Sequence, residues 1–196
     1  AYVANDPVNG RDPSGKNSYY VSRPVTELGI DTGYDHTFII IADKVGGPVK
    51  AYFDFGPEKG GAINTIMNKN GKLVSTNLTS TDLAAWQAPD KRQAGITVSV
   101  VPASDKSVIS AGNSLVKSLG TASNPGNVGY THSPNGLSAS GNSNSASSTI
   151  VNNAVQTERP GSPTVVPPSG DRAIGSNTRI TSPNCVSGPS GASCNL

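Results

Sequence analysis

Apolar residues fall in short runs along this chain, and their period changes from run to run. Two runs of β-branched and aromatic residues, Thr37 to Ile41 and Val49 to Phe55, flank a Gly-Gly-Pro turn and predict a β-hairpin. The first run is nearly continuous in apolar residues, as in a strand buried on both faces, and it places His36, after a loop, at the mouth of a central strand. In "ITVSVVP", Ile96, Val98 and Val100 alternate with Thr97 and Ser99, which predicts a half-buried strand.

Other runs have helical spacing. In "STDLAAWQAP", Ser80 or Thr81 is positioned to cap a short helix that buries Leu83, Ala84 and Trp86. In "SDKSVISAGNSLVKSLG", Val108, Ile109, Ala111, Leu115, Val116 and Leu119 form a stripe begun by Ser104 or Asp105 and stopped by Gly120. The segment from Glu58 to Arg92 otherwise alternates turns with short polar runs. Together these elements predict an α+β fold with an antiparallel sheet packed against helices.

The stretch "GNSNSASSTIVNN", residues 141 to 153, is harder to place. From Ser118 to Thr157 there is no charged side chain, a composition that suggests a linker, yet disorder normally brings charge together with low hydrophobicity. Ala146, Ile150, Val151 and Ala154 recur at i, i+4, i+5 and i+8, one stripe of a helix. Asn142 or Ser143 stands where a side-chain oxygen would cap its first turn.

Composition bounds the function. The chain of 196 residues is long enough for one domain with a core, and its 34% apolar content with 22 Gly and 15 Pro predicts irregular parts. A net charge of +2 is too small and too evenly spread to track a phosphate backbone, so no nucleic acid partner is expected. No apolar run approaches the ~20 residues of a membrane helix, and "AYVANDPVNG" lacks the basic and apolar regions of a signal peptide. Cys185 and Cys194 lie in a Gly/Ser/Pro-rich tail without zinc-ligand spacing and read as a local bridge or as two free thiols. No repeat, phosphate loop or tight cluster of His, Asp and Glu is visible, so no cofactor or metal is expected and a metal-dependent nuclease is disfavoured.

Two stretches resemble known families. Residues 1–16, "AYVANDPVNGRDPSGK", carry Tyr2, Asn5, Asp6, Pro7, Asp12, Pro13 and Gly15 in a pattern similar to the closing signature of the Rhs/YD-repeat core, although Lys16 replaces the usual apolar residue. In that family a variable toxin domain follows. From about Asp35 to Ala154, the pieces "DHTFIII", "YFDFGP", the helix after "VSVVP", Tyr130 and "GNSNSAS" resemble the circularly permuted NlpC-type papain fold, shared by lecithin:retinol acyltransferase-like enzymes. The resemblance implies an Rhs-core closing segment at 1–16, a permuted papain-like effector domain at 17–158 and a Pro/Gly/Ser-rich C-terminal arm at 159–196, either wrapped on the domain or mobile.

It also implies residue roles. Ser143 takes the place of the cysteine nucleophile, His36 that of the base, and Asp54 that of the residue orienting the histidine, while Asn142 or the backbone N–H at 143 would serve an oxyanion hole. Asp54 can reach His36 only if the hairpin register puts both on one face, whereas Asp35, adjacent to His36, points the other way if the strand has already begun there. A helix N-terminus that readily yields a thiolate cannot ionise a hydroxyl, so Ser143 would need concerted proton removal by a histidine. Ala146 stands where the family has an aromatic. The serine is compatible with a serine-using hydrolase, with lost hydrolysis or with an engineered Cys-to-Ser form. His132, in "YTHSPNG", reads as a surface histidine, and Trp86 and Tyr130 as core or pocket-wall aromatics.

The resulting expectation is an antibacterial Rhs-type effector, secreted or delivered into a target cell and favouring the periplasm. It would be monomeric, would cleave a peptidoglycan peptide amide or a lipid ester, and would be partnered by an Rhs core shell and a cognate immunity protein. A non-catalytic binding module, with Ser143 only capping its helix, is the rival.

Overall fold

In the computed structural model the described residues are 17–27, 30–60, 70–87, 95–182, 185–189 and 191–194. The doubled Asp-Pro signature of residues 1–16 lies outside them, as do parts of the polar stretch between Glu58 and Arg92.

The fold is α+β. Strands β1 (Ser18–Glu27), β2 (Ile30–Ile41), β3 (Ala51–Pro57), β4 (Leu73–Thr76) and β5 (Thr97–Val100) form an antiparallel sheet in the order β4-β3-β2-β1-β5. The predicted hairpin is β2–β3, with Ile39 opposite Phe53. The loop expected before His36 is instead β1 and the first half of β2, so His36 lies well inside a strand, not at its mouth. Polar residues and Pro24 mask that strand pair in the sequence. The register slips between Pro24 and Thr26, where a residue without an N–H cannot serve the ladder. At the far edge β5 buries Ile96 just before it but leaves Val100 exposed, so its alternation is weaker than expected.

Helix α1 (Ser80–Gln87) is capped one residue earlier than expected. Thr79 Oγ1 accepts from the Asp82 N–H at 3.2 Å, and Asp82 Oδ2 accepts from the Thr79 N–H at 2.7 Å, a reciprocal capping box. Its buried face is Asp82, Ala85 and Trp86, while Ala84 is exposed and Leu83 half-buried. The register is set by the Trp86 indole, which donates to the Gly47 carbonyl at 2.7 Å and packs with Tyr19, Val21, Phe38 and Ile40 on one face of the sheet.

The other face carries α2 (Asp105–Leu119) and α3 (Ser143–Glu158). Ser104 caps α2 and Gly120, at φ 70°, ends it. Val108, Leu115 and Leu119 enter the core, whereas Ile109 is 36% exposed. Gly112 is the point of closest approach, since a Cβ there would lie 2.3 Å from the Phe53 ring.

Between α2 and α3, β6 (Gly120–Thr121) pairs with β7 (Asn124–Pro125), and β8 (Gly129–Tyr130) runs parallel to β9 (Ser140–Gly141). After α3 the C-terminal arm is wrapped on the domain. It forms a 3₁₀ turn (Gly170–Arg172) and a three-stranded sheet of β10 (Arg179–Ser182), β11 (Cys185–Gly188) and β12 (Gly191–Cys194). Ile180 and Val186 of this arm belong to the same core cluster as α2 and α3, and Cys185 and Cys194, directly paired across β11 and β12, form a disulfide.

Gly112→Ala should therefore destabilise the protein by about 1–3 kcal/mol through overpacking against Phe53, read as a lower urea midpoint with an unchanged slope.

Candidate active site

Every residue from Ser143 to Asn152 is buried, so the first part of α3 is a buried helix built mainly of small polar residues, and solvent is met only toward its end, at Asn153, Thr157 and Glu158. Most of its hydroxyls and amides find partners within the protein, Asn144 Oδ1 being buried without one among the described residues. Thr149 Oγ1 donates to the Ser145 carbonyl and accepts from the Ile180 N–H, Asn152 Nδ2 donates to the Ser148 and Val165 carbonyls, and Arg179 donates to Ser148 Oγ. Such pairing makes burial of an uncharged polar helix tolerable.

The first turn sits against the edge of β2. The β2–β3 ladder ends at Ile39 and Phe53, and beyond it the β2 carbonyls that would have faced β3 accept from helix side chains instead. Ser147 Oγ donates to the Thr37 carbonyl, and Asn144 Nδ2 to the Asp35 carbonyl, both at 2.9 Å. The N-terminus of α3 has taken the place of a strand.

Asn142 is the cap. Its Oδ1 accepts from the Ser145 N–H at 2.9 Å, and Ser145 Oγ accepts from the Asn142 N–H at 2.7 Å. Both Nδ2 hydrogens are spent on the His132 and Ile174 carbonyls. That precludes the expected oxyanion role for the Asn142 side chain. The backbone N–H groups of Ser143 and Asn144 have no acceptor among the described residues and lie at the positive end of the helix dipole.

Because Asn142 does the capping, Ser143 Oγ is free to meet His36 Nδ1 at 2.9 Å. His36 Nε2 lies 2.9 Å from Asp54 Oδ1, and Thr76 Oγ1 donates to Asp54 Oδ2 at 2.7 Å. A carboxylate can only accept, so Nε2 carries the imidazole proton and Nδ1 turns its lone pair toward the serine hydroxyl. The register decides the choice of carboxylate. With Ile39 opposite Phe53, Asp54 falls opposite Phe38 and shares a face with His36, two residues along β2. Asp35 points away and its Oδ1 accepts from Arg172 Nε at 2.8 Å. Ser143 and Asp54 are nearly fully buried, and the His36 side chain retains 15% exposure.

Two more charges adjoin the imidazole. Asp82 Oδ1 lies 3.8 Å from His36 Nε2 and 2.5 Å from Arg23 Nε, with Asp82 wholly buried and Arg23 directly opposite His36 on β1. Burial alone would raise the Asp82 carboxyl, but the charges of His36 and Arg23 and the hydrogen bonds from Thr79 and Arg23 outweigh it and hold the group below the ordinary carboxylate range. His36, Asp54 and Asp82 thus offer potential ligand atoms within 4.8 Å of one another, a tight cluster the sequence reading did not expect. Their near atoms are already engaged, and Arg23 supplies the positive charge a cation would bring.

The triad opens on a pocket of about 240 Å³ walled by Val25, Tyr34, Tyr130 and Ile174. Burial, aided by the charge of Asp54, pushes the Tyr130 phenol up to about 12, so it stays neutral. His132 is exposed at the rim and meets the Tyr130 ring edge-on. The larger cavity of about 820 Å³, between α2 and α3, is lined mainly by uncharged polar residues with Lys106 and a few apolar ones, and presents no histidine or carboxylate. The capping-box spacing of Thr79 and Asp82 was a signal that the reading of Ser80 or Thr81 as the cap passed over, whereas nothing in the sequence singled out Arg23, Thr76 or Arg172.

No family of known proteins, no curated protein and no solved structure matches this chain. Among the described residues no helix is long and apolar enough to cross a membrane.

Asn142→Ala should cost about 1–2 kcal/mol in chemical denaturation, since it removes the cap and takes a donor from the His132 carbonyl and one of the two donors on the Ile174 carbonyl, whereas Ser143→Ala should cost about 1 kcal/mol or less. A depressed carboxyl stabilises the fold above its unfolded-state value and loses that contribution as pH falls through its own lower one. Thermal stability should therefore drop as pH falls below about 4, and Asp82→Asn should flatten that drop.

Proposed function

We propose that this chain is a serine hydrolase with a permuted papain-like arrangement, the effector tip of an Rhs-type protein. The observation that carries the reading is the unbroken relay from Ser143 through His36 to Asp54 at a helix N-terminus whose capping is done by Asn142. A serine that only capped its helix would spend its hydroxyl on the backbone, and Ser143 spends it on an imidazole. The order of elements, a histidine-bearing strand, a hairpin partner carrying the carboxylate and a later helix start, further supports the permuted arrangement.

Ser143 Oγ attacks the carbonyl carbon of an amide or ester while His36 Nδ1 takes its proton. The new oxyanion is held by the backbone N–H groups of Ser143 and Asn144 at the dipole end. Asp54 keeps the imidazole in the needed tautomer and stabilises the imidazolium. Collapse breaks the carbon–nitrogen or carbon–oxygen bond, the leaving group takes the proton from Nδ1, and water, activated by the same nitrogen, releases the acyl group from serine. A peptidoglycan peptide amide is the first substrate class and a lipid ester the second, with action in the periplasm of a target cell and a cognate immunity protein in the producer.

The test is turnover of an activated ester and of purified peptidoglycan by the full chain, with expression in the periplasm and the cytoplasm of a bacterial host alongside. Ser143→Ala and His36→Ala should each lower kcat by about 10³-fold or more, and Asp54→Asn by about 10²- to 10⁴-fold. Ser143→Cys should remain active and His36-dependent, because a thiol between a helix N-terminus and an imidazole ionises readily. A His36→Ala chain that turns over substrate, or kills, as well as its parent would overturn the reading.

A further inference from the structure

A serine–histidine relay needs one carboxylate beside the imidazole, yet His36 has two. Asp54 makes the 2.9 Å bond, and Asp82 stands 3.8 Å from the same nitrogen without bonding to it. Asp82 is wholly buried and tightly held, Oδ1 by Arg23 and Oδ2 by the N–H and hydroxyl of Thr79. We propose that the Arg23–Asp82 pair, with its carboxylate fully buried, positions and charge-balances His36 without touching substrate. Asp82 adds a second negative charge at Nε2, and Arg23 offsets it so that the histidine remains a usable base. This rests on the hydrolase reading and adds two positioning residues to it.

The surroundings of His36 leave these charges little to compete with. Arg23 faces it from β1, Asp54 from β3, Asp82 from α1 and the uncharged Ser143 from α3. Asp35, its neighbour on β2, is turned toward Arg172. Tyr130 and His132, following α2, line the same pocket, Tyr130 as a neutral phenol and His132 at the exposed rim. The Phe38 ring stacks 5.7 Å from the imidazole. Arg23, with 16% exposure, and Asp82, with none, are both sheltered, so their charges act with little screening by water. Two carboxylates with no cation would favour the protonated form of the imidazole, which cannot accept the serine proton. An Arg23 without Asp82 would do the reverse, opposing the imidazolium that forms at the transition state.

The two single variants therefore have opposite signs, which a merely structural role would not give. The chain has two histidines, so the NMR signal missing from His36→Ala identifies His36 in a titration of the full chain. In Arg23→Gln the midpoint of His36 proton uptake should move up by about one pH unit, and in Asp82→Asn down by about as much. The double variant Arg23→Gln/Asp82→Asn should lie between them, and Arg23→Lys should stay near the parent. The acid limb of kcat/KM for an activated ester should follow the same order. Single variants that shift the same way, or that leave the midpoint where it is, overturn the proposal. Should Asp82→Asn fail to melt cooperatively, Arg23→Gln decides it alone, an upward move supporting the pair and none refuting it. If no ester is hydrolysed by any form, the hydrolase reading falls while the titration still judges the pair.

Discussion

The structure depends on how the first turn of α3 meets the bare edge of β2. A strand edge presents carbonyls that must find donors, and a helix N-terminus presents N–H groups that must find acceptors. Here Asn144 and Ser147 reach out to the β2 carbonyls, and Asn142 and Ser145 serve the helix's own first donors. Side chains of the helix thus complete the bare edge of the strand, while the Ser143 and Asn144 N–H groups are left without acceptors among the described residues. That junction places Ser143 beside His36, whose other ring nitrogen meets Asp54 of β3, and both Ser143 and His36 line the pocket.

Electrostatics follow from the same junction. His36, Asp54, Asp82 and Arg23 share a sheltered space in which each charge faces another and Thr76 and Thr79 fill the remaining acceptor positions. The C-terminal arm closes the other side. The Ile174 carbonyl accepts from both Asn142 and Asn144, and Arg172 pairs with Asp31 and Asp35, so the arm fastens the two residues flanking Ser143 and the strand that carries His36. The disulfide between Cys185 and Cys194 ties off the sheet in which that arm ends.

The uncharged stretch around residues 118–157, read from composition alone, suggests a linker. Its small side chains instead let α3 pack between the sheet, α2 and the arm, where a longer side chain would hold the backbones apart. Charge is absent because nearly every face is covered, and serine, threonine and asparagine are tolerated because most of the bonded hydroxyls and amides reach a backbone group, Ser143 and Ser148 pairing instead with the side chains of His36 and Arg179. Four apolar positions at helical spacing revealed the helix. Its burial on all sides was invisible, because the partners that satisfy its polar atoms come from strands and from the arm, more than 100 residues upstream or about 30 downstream.

The sequence by itself determined the local elements: the β2–β3 hairpin, the start and stop of α2 and the beginning of α3. Each of these rests on short-range physics, whether side-chain period, a capping oxygen or a glycine able to adopt positive φ, whereas Ser143, His36 and Asp54 were nominated through a family resemblance. Only the tertiary structure decided which of Asn142 and Ser143 caps the helix, which aspartate faces the histidine, and that Arg23 and Asp82 stand beside it. Those outcomes depend on strand register and on burial, and one residue of slip reverses the face of every side chain in a strand. The strand holding Arg23 was itself hidden, because its alternation is broken by Pro24 and by polar residues whose partners lie far away in the chain.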